Sequence, residues 1–234
     1  MTDSTARAVG TEVIMERVPE LKIDVHGSVK PFLRGRIHAV AFFVAIPAAI
    51  ALVVASGGVE AKVAASTYGF TLVLLFAASS AYHRFGRGPT LEWLRRLDHS
   101  SIFLLIAGSY TPVCLVALSG WWASALLIAV WTAAVVGVLL KLFRFENSHK
   151  LGFALYLTMG WAVLAALPGL VTNLDTSTLS MLVAGGLLYT VGAIVLATRF
   201  PNPFPRFFGY HEIWHVMVVA AACLHYFAIR GVIA

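Results

Sequence analysis

Charge is scarce in this chain of 234 residues: Asp, Glu, Lys and Arg make up 12% of it, against about 25% in an ordinary soluble domain. Hydrophobic residues reach 59% and the mean hydropathy is +0.84. Those values exclude a soluble globule, a disordered chain and a fibrous protein. Cysteine is nearly missing as well. Cys114 and Cys223 lie inside apolar runs with no CxxC spacing, which argues against a disulfide framework or a thiolate zinc site. Both are expected to be small buried hydrophobes. The beginning of the chain lacks the basic-then-apolar pattern of a signal peptide, and the first long apolar run starts only near Ile37. A net charge of +6 would raise nucleic acid as a partner of a soluble protein. Here the basic residues sit beside apolar runs, so anionic lipid headgroups account for them and no nucleic-acid partner is expected.

What the chain does have is apolar length. Seven stretches, about 37–56, 64–82, 100–118, 122–142, 151–171, 178–198 and 211–230, are each close to the 20 residues that cross a bilayer. In lipid such runs must be helical, because unpaired backbone groups cost several kcal/mol each. The fold class read from the sequence is therefore all-α: a polytopic seven-transmembrane helix bundle over residues 36–234, preceded by a polar segment, residues 1–35. Up to Lys30 that segment carries four basic and five acidic side chains, and a short interfacial helix is expected around Glu12–Val18.

Orientation follows from lysine and arginine. Arg7, Arg17, Lys22, Lys30, Arg34 and Arg36 precede the first span; Arg84, Arg87, Arg95 and Arg96 lie between the second and third. Lys141, Arg144 and Lys150 lie between the fourth and fifth, and Arg199 and Arg206 between the sixth and seventh. Fifteen of the 17 basic residues thus fall on one side, leaving Lys62 and Arg230. This predicts a cytoplasmic N-terminus and an outside C-terminus. Pro47, Pro112 and Pro168 read as kinks within spans. Gly137, Gly160, Gly185, Gly186 and Gly192 read as close helix contacts, and Trp121 with Trp122 as an outer aromatic belt.

The chemistry is concentrated in His211-Glu212-Ile213-Trp214-His215, an HExxH sequence opening the seventh span. Residues four apart share a helix face, so two imidazoles can hold one metal there. Ionisable groups at the edge of a span are functional candidates by default. The second span runs from outside to inside and ends at His83; the third, opened by Asp98, begins on that same side. Four polar residues from three helices therefore fall in one layer. His83, His211 and His215 are the expected ligands of a Zn2+ ion whose open position holds water. Asp98 is the expected general base, although an Asp before Ser100 and Ser101 also suits a helix cap. Ser79, one turn before His83 on the same face, is the other candidate catalytic residue. His26, His38, His99 and His149 are expected among lipid headgroups or water. His225 lies about 15 Å further along its helix, too far to share the metal.

These residues resemble a known family. Ser79-Ser80-Ala81-Tyr82-His83, Arg96-Leu97-Asp98-His99-Ser100-Ser101-Ile102, Ile106-Ala107-Gly108-Ser109-Tyr110-Thr111-Pro112, Leu155-Tyr156-Leu157-Thr158-Met159-Gly160-Trp161 and Phe208-Gly209-Tyr210-His211-Glu212-Ile213-Trp214-His215 are similar to elements of haemolysin III-type bacterial members of the progestin and adipoQ receptor family, which includes the adiponectin receptors. The similarity runs from about residue 30 to the end. It implies a multi-pass protein of the bacterial inner membrane, with zinc near the cytoplasmic leaflet held by His83, His211 and His215, and with Asp98 and Ser79 around the metal-bound water. The lead-in Arg34-Gly35-Arg36-Ile37-His38 departs from the Asn-containing lead-in of bacterial members. The position of Glu212 need not be Glu in the receptor branch, which favours Asp98 as the base.

Four functions compete. The resemblance, including an apparent relation to alkaline ceramidases, suggests a zinc-dependent hydrolase of a lipid amide or ester, with ceramide-like or other acyl-lipids as partners. A non-enzymatic sensor of membrane lipid state with structural zinc is the second. A pore-forming cytolysin is the third, although the spans lack rows of polar residues to line a pore. An intramembrane metalloprotease rests on HExxH alone.

Overall fold

The computed structural model describes Pro31–Ile233, apart from the side chain of His149. The expected helix at Glu12–Val18 and His26 lie outside the described residues. The helices are α1 Arg36–Ala55, α2 Gly58–Phe85, α3 Pro89–Pro112, α4 Gly120–Phe143, α5 His149–Trp161, α6 Leu167–Asn173, α7 Thr176–Thr198 and α8 Tyr210–Ile233. Among the described residues there is no β-strand, only one antiparallel bridge between Phe204 and Phe208. Seven stretches are long and apolar enough to cross a membrane, with α5 and α6 together making the fifth. Large apolar side chains on their outer faces, such as Phe43 at 70% and Val54 at 78% exposure, would be untenable in water and suit lipid.

α3 joins two packed cores. On one side Leu105 belongs to a cluster with Tyr68, Leu72, Phe76, Val218, Ala222 and Ile229, which ties α3 to α2 and α8 and, through Ala41 and Leu52, to α1. On the other, Phe103, Ala107 and Tyr110 meet Val130, Ala134, Met159 and Leu170 of α4, α5 and α6. Between helices in lipid the attraction is close packing rather than water exclusion, so small residues at the contacts matter. Gly137, Gly185 and Gly192 bear this out, because a Cβ there would collide with Phe103, His225 and Trp214 respectively. Gly160 and Gly186 do not, because each faces open space. Cys114 is buried as expected, whereas Cys223 is exposed on the outer face of α8.

Several helices differ from their apolar runs. α2 and α3 continue past them, and α3 starts at Pro89 rather than near residue 100. Its first turns are polar but tied down. Arg95 and Arg96 pair with Glu92, Arg95 also pairs with Glu146, and Arg96 donates to the Leu142 carbonyl. Hydropathy cannot register such an amphipathic extension. Lys141 is likewise buried rather than at a headgroup, its Nζ donating to the Ser148 carbonyl at 3.3 Å and hydroxyl at 3.2 Å. Pro112 and Pro168 sit at breaks, whereas Pro47 lies inside the uninterrupted α1. α3 ends at Pro112 and continues as a wider π turn, Val113–Ala117. The fifth span passes through a 3-10 segment, Ala162–Ala166, just before Pro168, whose missing N–H cannot close the α-helical bond. The Tyr110 hydroxyl serves this break: it donates to the Met159 carbonyl at 2.7 Å and accepts from Val163 N at 2.6 Å.

Candidate metal centre

His83 lies in the last turn of α2, and His211 and His215 in the first two turns of α8. Because the two helices run in opposite directions, these ends meet. One nitrogen from each of the three imidazoles lies within 4.8 Å of the others. His83 and His215 are buried and His211 half-buried. His83 Nε2 and His211 Nε2 are 3.3 Å apart. That separation alone suits a shared N–H···N bond, but a third imidazole in the same space makes it a donor set. A tetrahedral ion with bonds of about 2.0–2.1 Å spaces neighbouring donor atoms about 3.3–3.4 Å apart. His215 Nδ1, moreover, is buried with no hydrogen-bond partner. The residues therefore fit a metal ion, and imidazole donors suit zinc among several divalent metals.

Asp98 stands beside this group. Its Oδ2 lies 3.8 Å from His83 Nε2 and 3.9 Å from His99 Nδ1, and Ser79, itself buried, hydrogen-bonds to the carboxylate. The alternative of a helix cap is overturned, since α3 begins at Pro89 and Asp98 lies in its third turn, where backbone N–H groups are already paired. His99 is 37% exposed, with Nδ1 donating to the Arg95 carbonyl at 2.9 Å. His225 is apart from the centre, as expected, with Nε2 3.2 Å from the Leu182 carbonyl.

Glu212, the acid of the HExxH sequence, does something else. Its side chain is fully buried; Oε1 is ion-paired to Arg34 Nε, and Oε2 accepts from the Gly209 N–H at 2.9 Å. Glu212 is the third residue of α8, and a glutamate there reaching back to the residue before the helix is half of a capping box. It anchors the turn that carries His211.

The lead-in to α1 was not legible as part of this site. Backbone bonds from Phe32 N to the Arg206 carbonyl (3.0 Å) and from Leu33 N to the Phe207 carbonyl (3.3 Å) lay it along the connection between α7 and α8. Arg34 then reaches Glu212. Gly35 adopts φ +75° against α2, and a Cβ there would stand 2.7 Å from His83 Cβ. His38, expected among headgroups, is instead 3% exposed and stacked flat on His215. The available signal was the cost of an imidazole so near the start of a very apolar run, and a glycine between two arginines.

The family model described as Haemolysin-III related matches residues 26–226. Hemolysin-3 of Bacillus cereus is 35% identical over 195 residues, covering 82% of this chain and 86% of that protein. The Hemolysin-3 homolog of Bacillus subtilis (strain 168) is 32% identical, covering 82% and 89%. The human protein named Monocyte to macrophage differentiation factor is 30% identical over 181 residues, covering 72% and 69%. No solved structure matches. Seven apolar helices and relatives of this kind make it a multi-pass membrane protein. With a match across almost all of the described bundle and such identity to both Bacillus proteins, the chain belongs to the haemolysin-III related family.

Proposed function

We propose that the protein is a zinc-dependent hydrolase of a lipid amide or ester, acting at the cytoplasmic leaflet. The observation that carries this reading is the convergence of His83, His211 and His215 with the Asp98 carboxylate 3.8 Å from His83, at one end of a membrane bundle. Held by three neutral imidazoles, zinc keeps its full charge and supplies a Lewis acid that acidifies water toward a pKa of about 7 and polarises an acyl carbonyl. Asp98 takes the proton of the attacking water as its oxygen bonds to the acyl carbon, and returns it to the leaving nitrogen or oxygen. Ser79, hydrogen-bonded to Asp98, holds that carboxylate in place. Glu212, with both oxygens engaged elsewhere, has no part in the proton transfer. A ceramide-like amide is the first substrate to try, and a headgroup linkage at this depth leaves the acyl tail among the helices.

Metal content of the detergent-purified protein, measured beside His83→Ala and His211→Ala, tests the centre. About one zinc per chain, lost in both variants, is expected. Turnover of a ceramide-like amide should then fall by about 10²–10⁴ in Asp98→Ala. No metal in the wild type, even with zinc supplied, would remove the proposal, and undiminished turnover in Asp98→Ala would remove the role of Asp98. A structural metal in a lipid sensor is the second reading, favoured by the way the three histidines join α2 to α8. It predicts the same metal content, a loss of thermal stability on chelation and no turnover.

A further inference from the structure

Among the described residues, one buried imidazole has no hydrogen-bond partner at either nitrogen, and it lies against the centre. His38 is 3% exposed. Its ring stacks on His215 with centroids 3.9 Å apart and planes 8° apart, and meets Phe76 edge-on at 5.1 Å. A phenyl ring would make both contacts equally well, without the desolvation cost of two unpartnered nitrogens. Stacking therefore does not account for an imidazole here; its nitrogens are suited to a ligand the protein itself does not supply.

The stacking also limits which ligand. A ring nitrogen binds metal in the plane of its own ring, so an ion held by His215 lies about one stacking distance out of the plane of His38. His38 cannot bond that ion without abandoning the stack. A group seated beside the ion is within its reach. We propose that His38 hydrogen-bonds the oxygen ligand that completes the histidine-held ion, whether water, a carboxylate or an acyl carbonyl. This deepens the reading of His83, His211 and His215 as an open metal centre and rests on it: α1 supplies a polar contact for the group that enters.

The test uses the full chain in detergent, loaded with Co2+, whose visible absorption reports both the donor set and entry of a new ligand. The probe is acetohydroxamate, a small chelator with two oxygen donors. His38→Phe keeps the stack and loses the nitrogens; His38→Gln keeps a polar group and loses the stack. Both variants should bind Co2+ within about fivefold of the wild type, because His38 neither ligates the ion nor hydrogen-bonds one of the histidines that hold it. His38→Phe should lose acetohydroxamate affinity by about tenfold, while His38→Gln stays within about fivefold of the wild type. The proposal is overturned if His38→Phe binds the probe as the wild type does, if His38→Gln is no better than His38→Phe, or if either variant loses Co2+. It is equally overturned if the wild type holds Co2+ but does not take the probe. Should His38→Phe fail to fold, His38→Gln decides alone, with a loss beyond about fivefold counting against the proposal. A wild type that binds no Co2+ removes the metal centre itself, an outcome distinct from failure of His38 alone.

Discussion

Replacing Glu212 separates two readings of the HExxH sequence. As the base of a metalloprotease, Glu212 could be changed to Gln with turnover lost and the fold intact. The structure predicts a different result, because the carboxylate is 0% exposed and both oxygens are engaged, one by Arg34 and one by the Gly209 N–H at 2.9 Å. Breaking a buried ion pair from one side costs about 3–5 kcal/mol, since the surviving charge stays buried without compensation. Arg34→Met strands the fully buried carboxylate and should lose that full amount. Glu212→Gln leaves the more accessible Arg34 and keeps an acceptor for Gly209, so a loss of about 2 kcal/mol is expected. The double variant retains no charge and should lose only about 1–2 kcal/mol. A double-mutant cycle should therefore show coupling of about 3 kcal/mol or more. For a chain of this length about 2–4 °C accompanies each kcal/mol, which places the Arg34→Met midpoint roughly 6–20 °C below the wild type. Thermal unfolding is followed on metal-free protein in detergent, because a bound ion adds its own stabilisation. Additivity within about 0.5 kcal/mol would refute the reasoning, as would a Glu212→Gln protein that melts like the wild type yet has lost all turnover.

Three further perturbations test other parts of the structure. Gly35→Ala forces φ +75° on a residue with a Cβ, at about 1–2 kcal/mol, and drives that atom into His83; metal affinity should fall by about tenfold or more, and wild-type affinity would show the contact to be wrong. Tyr110→Phe strips the break in the fifth span of the hydroxyl that serves Met159 and Val163; unfolding should ease by about 1–3 kcal/mol, and an unchanged midpoint would mean the freed groups find other partners. Asp175, between α6 and α7, accepts hydrogen bonds from Ser177 and Thr178, which hold its carboxyl below the usual range. A depressed folded pKa stabilises above the ordinary carboxylate value, about 3.9, and that contribution is lost as pH falls below it. Midpoints of the wild type and Asp175→Ala should therefore converge on acidification, and a gap that stays constant down to pH of about 2 would contradict this.

The depth argument set His83, Asp98, His211 and His215 in one layer, with Ser79 a turn before His83, because it needs only the direction of each span and the distance of each residue from its end. Those quantities are legible as apolar runs and 1.5 Å steps, and the helices bring all five residues to one end of the bundle. It misplaced the start of α3, since an amphipathic extension held by Arg95, Arg96, Glu92 and Glu146 carries no hydropathy signal. It missed Arg34, Gly35 and His38 for a related reason. Hydropathy treats a polar lead-in as something that faces water, whereas this one pairs its backbone with the Arg206–Phe207 connection and turns Arg34 and, one turn on, His38 inward. Only a long-range pairing decides that, and no local period encodes it. The consequence is functional. His83, His211 and His215 are stationed by α2 and α8, but what they lean on comes from α1 and the turn that leads into it: Gly35 against His83, Arg34 holding the turn of His211 through Glu212, and His38 on the face of His215. Each of the three histidines is therefore constrained by a residue from one short segment: a change at Arg34 or Gly35 should lower metal affinity although neither residue touches the ion, whereas a change at His38 should alter only what joins it.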